Sequence, residues 1–237
     1  MKLSRVSVAT TMVIAAMTAA VLGSGVASAG ALDALSSQDR TAGLRTALTQ
    51  AAQLAVGKLG VADGFLGNPE VKIPLPGKLR KAEKMLKTLG LGKQADELVL
   101  SMNRAAEAAV PEARTLLVDS VKQMSVQDAT SILTGGDDAA TQFFKRNTSE
   151  KLLAKFMPIV QKATVKVGVT QRYNELGAKA SKLGLVDAKD ATIESYVTQK
   201  TLDGLFVMMA KEEAAIRKNP LGQASTLLQR VFGALGK

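Results

Sequence analysis

The chain of 237 residues contains no cysteine, no histidine and no tryptophan, and only 3% of it is aromatic. Each absence removes a class of chemistry. Without cysteine there are no disulfides, no thiolate nucleophile, no thiolate metal site and no residue to carry a lipoprotein's lipid. Without histidine the commonest general base and the commonest metal ligand are gone. Any catalysis is confined to carboxylates, lysines, hydroxyls and backbone amides. No Gly-x-Ser-x-Gly elbow, dinucleotide-binding glycine fingerprint or Ser-x-x-Lys set is present. The motifs therefore assign no catalytic residue, no cofactor and no metal.

What is present begins with a leader. Lys2 and Arg5 form a positive head, an uncharged apolar run extends from Val6 to Val21, and Ala27, Ser28 and Ala29 supply the small-x-small pattern that signal peptidase accepts. Residues 1–29 are expected to be a cleavable signal peptide, cut after Ala29, releasing a periplasmic protein. A retained anchor is the rival reading, but the run is rich in Ala, Thr, Ser and Gly and makes a poor span. Removing 1–29 leaves 208 residues, 30–237, enough for a single helical domain with a sizeable core. The formal charge falls only from +10 to +8 with the loss of Lys2 and Arg5. That excess attracts an anionic envelope component or an acidic protein, with peripheral membrane contact included. Nucleic acid is not expected, because export removes the chain from it and stacking aromatics are scarce.

Apolar residues recur at helical spacing: Leu44, Leu48, Ala51, Ala55 and Leu59; then Leu91, Ala95, Leu98, Met102, Ala105 and Ala109; then Leu152, Phe156, Val160, Ala163 and Val167. Gly60 comes just after the first stripe, where a left-handed cap residue belongs. Residues 205–210 are apolar on every side of a helix, so a helix over about 192–217 is expected at the centre, with Met208 and Met209 in the core. Pro111 and Pro158 are each expected to break or kink a helix. The fold class is all-α: a compact single-domain multi-helix bundle with one long irregular loop, about 60–77. That loop, rich in glycine and proline, still carries Phe65, Leu66, Val71, Ile73 and Leu75. The alternation of the last three with Lys72 and Pro74 suits a short extended segment pinned to the core.

Three stretches are candidates for function. The first, ILTGGDDAATQFFKR at 132–146, sets Gly135 and Gly136 against Asp137 and Asp138. Two carboxylates occupy the place an anion would take, and no P-loop Lys-Ser/Thr pair comes after the glycines. Ser125 and Asp128 form a capping box for a helix ending near Leu133; Asp137 or Asp138 then caps the next one. The second, KLRKAEKMLKTLGLGK at 78–93, is a basic amphipathic pattern. With the adjoining loop it defines an expected interaction surface over 65–93: Phe65, Leu66, Lys72, Lys78, Arg80, Lys81, Lys84, Lys87 and Lys93. The third, ADELVLSMNRAAEAAVPEAR, places Asp96, Asn103 and Glu107 on one side of a helix with Arg104 nearby. Together with Asp137 and Asp138 these form a possible polar site, suited to a cation or to acid-base work if they converge, and otherwise a polar face or a buried capping network.

The stretches DGFLGNPEVKIPLP, LGLGKQADELVLSMNRAAEAAVPEA, ILTGGDDAAT and TLDGLF resemble the bacterial domain-of-unknown-function 4197 family over roughly 35–235. The resemblance implies a mostly helical, exported protein and carries over no catalytic or binding residues. The expected function is binding at the cell envelope through 65–93. A carboxylate- or metal-dependent hydrolase and a helical carrier of a lipid or apolar ligand are the alternatives.

Overall fold

A computed structural model describes residues 36–77, 92–164, 171, 174 and 192–219, and these form an all-α domain. The described helices are α1 (Ser37–Leu59), α2 (Gly92–Ala109), α3 (Ala113–Lys122), α4 (Val126–Thr134), α5 (Ala139–Thr164) and α6 (Ile193–Lys218). A 3-10 turn, Val110–Glu112, joins α2 to α3. Residues 1–29, expected to be a signal peptide, and the stretch 78–91 lie outside the described residues.

Helix ends obey local chemistry. The Ser36 hydroxyl accepts the Asp39 N–H and caps α1, as Thr192 accepts from Ser195 at α6. At α4 the capping box expected from Ser125 and Asp128 is complete in both directions. The Ser125 hydroxyl and N–H, both donating to the Asp128 carboxylate, hold its pKa below the usual aspartate value. Gly135 closes α4.

Two expectations need correction. Gly60 does close α1, but with φ of −82°, outside the left-handed region. Its small size is required by close approach, since a Cβ there would lie 2.9 Å from Pro111 Cγ. Pro158 does not end its helix, because α5 runs through it. The carbonyl that loses its donor belongs to Ala154, an exposed residue on the solvent side of the helix. Pro111 behaves as expected and sits in the 3-10 turn.

Helices α5 and α6 pack along each other. Helices α1 and α2 pack on α6, and α2, α3 and α4 contact α5. The core holds Leu44, Phe65, Leu98, Met102, Phe144, Leu152, Phe156 and Leu205, each no more than 1% exposed. Met208 and Met209 are buried in it, as the pattern of α6 predicts. Val207 beside them is 42% exposed, so α6 keeps one outward edge. No helix among the described residues is long and apolar enough to cross a membrane.

Candidate functional site

The irregular segment 60–77 is fixed by polar side chains rather than by secondary structure. After α1 the chain turns through Asp63, which adopts φ of +65°, and the Gly67 N–H closes back on the Asp63 carbonyl at 2.9 Å. Phe65 then points inward and is fully buried against α6. A Cβ on Gly204 would lie 2.7 Å from the Phe65 ring, so the glycine makes room for it.

Glu107 holds this turn. Its Oε1 accepts the N–H groups of Phe65 and Leu66, both at 3.1 Å, and its Oε2 accepts Arg104 Nη1 at 2.6 Å. Arg104 also donates from Nη2 to Asp63 Oδ1 at 2.8 Å. The hydrogen bond to Glu107, then that to Asp63, raise the guanidinium pKa above its ordinary value. The arrangement satisfies two backbone donors that neither helix nor sheet would otherwise pair.

Farther on, Val71, Ile73 and Leu75 are buried while Lys72 and Pro74 face outward, as the alternation predicts. The Ile73 N–H donates to Asn103 Oδ1 at 2.8 Å, and Asn103 Nδ2 donates to the Ile73 carbonyl at 2.9 Å. A side-chain amide thus replaces a neighbouring strand. Asn103 Nδ2 also donates to Val99 O at 2.8 Å, and the Tyr196 hydroxyl donates to Pro74 O at 3.1 Å. Asn68 and Glu70 add outer contacts, the latter with Lys211 of α6.

Between this segment and the start of α2 lies an open groove of about 440 Å³, lined by Leu66, Lys72, Pro74, Leu75, Asp96, Val99 and Leu100. It brings together Leu66 and Lys72 from the expected interaction surface and Asp96 from the expected polar site. Leu100 is 44% exposed at its margin. Lys93 is also exposed and pairs with Glu97 one turn along α2 at 4.0 Å.

The remaining predicted residues divide. Phe65 is removed from the interaction surface, because burial against Gly204 leaves it nothing to offer a partner. Lys78, Arg80, Lys81, Lys84 and Lys87 lie outside the described residues. Asn103 and Glu107 are 0% and 5% exposed: the side of α2 opposite its apolar stripe is covered by the segment 60–77, so these residues form a capping network. Asp137 and Asp138 remain exposed at the entry to α5. Among the described residues no three acidic side chains gather into a group able to hold a cation.

Asp138 stands at the start of α5, where its carbonyl accepts the Gln142 N–H, yet its carboxylate is not the cap. Glu213 of α6 takes that place. Glu213 Oε1 accepts the Ala140 N–H and Oε2 the Thr141 N–H, each at 2.9 Å, and the Thr141 hydroxyl adds a third bond at 2.9 Å. Arg217 reaches Glu213 Oε1 at 2.9 Å and the Ile132 carbonyl near the end of α4 at 2.9 Å. Sequence reading missed both residues. Their signal is an acid-base pair four residues apart just after the all-round apolar run 205–210 of this helix, where a charge needs a buried partner.

The chain belongs to the family described as Protein of unknown function (DUF4197). That family's model matches residues 34–233 and so spans every described residue. No curated protein and no solved structure matches the chain.

Proposed function

We propose that the chain is an exported, non-enzymatic binding protein of the cell envelope, and that its groove receives the anionic end of an amphipathic envelope component. The observation that carries this reading is the lining of the groove. Among the described residues one lysine, Lys72, shares the lining with the apolar side chains of Leu66, Pro74, Leu75, Val99 and Leu100 and with Asp96. Lys72 meets the anionic group and the apolar side chains meet the hydrocarbon attached to it, while Asp96 disfavours a second negative charge. The formal charge of +8 that remains without Lys2 and Arg5 draws such partners to the surface. Asn103 and Glu107 hold the groove wall in place, which lowers the ordering cost of binding.

The hydrolase reading loses support because Glu107 is 5% exposed and its carboxylate already accepts three N–H donors, which commits it to holding the turn at 65 and 66. Export rests on Lys2, Arg5, the apolar run and Ala27-Ser28-Ala29.

The test is flotation of the protein with vesicles of neutral lipid and of neutral lipid mixed with anionic lipid. Partition onto the anionic vesicles is expected, weakening with salt, reduced by Lys72→Glu and increased by Asp96→Asn. Equal, salt-insensitive partition, or none, removes the reading. Cell fractionation with N-terminal sequencing tests export separately: a cytosolic protein still carrying residues 1–29 rules out the envelope.

A further inference from the structure

The groove beside segment 60–77 keeps two charges apart. Lys72 comes from the segment and Asp96 from α2, and both are exposed. Among the described residues neither side chain has an ion-pair or hydrogen-bond partner. By contrast Lys58, Lys93 and Lys211 are each bridged to a glutamate. Both groove charges are therefore open to a ligand.

The apolar part of the lining is equally available. Pro74 and Leu100 are exposed, and Leu66 and Val99 are half-buried. The wall that carries them is fixed from behind: Glu107 accepts the Leu66 N–H, Asn103 holds the Ile73 backbone between Lys72 and Pro74, and Tyr196 donates to the Pro74 carbonyl. A wall held this way does not fold over its own apolar side chains, so their burial is left to a ligand.

Volume sets the size of that ligand. A cavity of about 150 Å³ takes one benzene ring, so the 440 Å³ of the groove takes roughly eighteen carbons at the same density. That is one hydrocarbon chain, and the two chains of a phospholipid exceed it. Charge sets the head group. Lys72 satisfies one negative charge, and a second would face Asp96 unpaired. Lysine also lacks the guanidinium fork that fits phosphate oxygens in pairs.

We infer that the ligand is a single-chain fatty carboxylate, its head on the Lys72 ammonium and its chain along Leu66, Pro74, Val99 and Leu100. This rests on the binding reading above and narrows it from any anionic amphiphile to one chain and one charge.

The test is calorimetric titration of the whole protein with octanoate, dodecanoate and hexadecanoate, each below its micelle-forming concentration, and with dodecyl phosphate. One site is expected, tightening about threefold per added methylene. Dodecanoate is expected to bind about fivefold more tightly than dodecyl phosphate, which carries close to two charges at neutral pH, and Asp96→Asn to narrow that gap. Lys72→Gln should weaken dodecanoate about fivefold, whereas Lys151→Gln, exposed on α5 outside the groove, should leave it unchanged. Affinity indifferent to chain length, dodecyl phosphate bound as tightly as dodecanoate, or Lys151→Gln as harmful as Lys72→Gln overturns the inference. If anionic vesicles carry the protein in flotation but no carboxylate binds, the inference falls and the binding reading stands. If neither binds, both fall.

Discussion

Two buried glutamates perform the same task in different settings. Glu107 receives two successive backbone N–H groups of an irregular segment, and Glu213 receives two at the N-terminus of α5. Each is paired with an arginine on its own helix, three residues before it at Arg104 and four after it at Arg217. The environments differ. The Arg104 side chain is 41% exposed and reaches Asp63, whose side chain is 63% exposed, so one flank of the loop anchor lies in solvent. Arg217 is 14% exposed and Glu213 6%, so the helix anchor is closed. At Glu213 the dipole of α5 also favours the negative charge, an advantage absent at residues 65 and 66. The closed anchor should govern global stability, and the open one the order of a single segment.

The strongest way to break this contrast is Glu213→Ala. It removes three accepted hydrogen bonds and leaves Arg217 without its carboxylate, so a loss of about 3–5 kcal/mol is expected in denaturant unfolding. A loss under about 1 kcal/mol would show that water replaces the cap. Asn103→Leu ranks next, at about 2–3 kcal/mol, because the Ile73 N–H and carbonyl lose their partner. Its signature is faster amide exchange at Ile73 than in α6, and a uniform rise across α6 would contradict a local anchor. Glu107→Gln keeps an oxygen for Phe65 and Leu66 but removes the charge, costing about 1–2 kcal/mol. Here the Phe65 and Leu66 amides should exchange faster while the α5 amides do not.

The smallest effect sharpens the comparison with a cap exposed to solvent. Ser125→Ala should cost about 1 kcal/mol at neutral pH. The Asp128 pKa is depressed in the folded chain, so its contribution is present above the unfolded aspartate value of about 4 and is lost as pH falls through the lower folded value. The gap between variant and parent in thermal unfolding should therefore narrow in acid. A gap that stays constant to low pH would mean the carboxylate takes no part.

The same anchors show which features were legible in the sequence. Helices α1, α2, α5 and α6 can be read from apolar spacing, and the capping box from Ser125 and Asp128, because those interactions join residues within a few positions. Asn103 and Glu107 were legible as polar residues at helical spacing, with a polar face and a buried capping network both open, since the segment that covers them, 60–77, is distant in the chain. Phe65 was misplaced for the matching reason: its pocket is made by the missing side chain of Gly204. Glu213 was missed because its donors at 140 and 141 belong to a different helix, and a glutamate with an arginine four residues later resembles a solvated pair. Asp138 had the right position for a cap and lost the role to a residue that only tertiary packing brings near.

The amide of Asn103 has a further consequence for which backbone groups other chains can reach. An extended segment with unpaired backbone groups offers an edge to which another chain can add. Here Ile73 has both backbone groups engaged by one side chain, Pro74 has no N–H, and the Pro74 carbonyl already accepts from Tyr196. Exchange of that single amide for a carboxylate would set an oxygen against the Ile73 carbonyl and leave that carbonyl without its donor, so one side chain decides whether the segment's backbone stays closed to other chains.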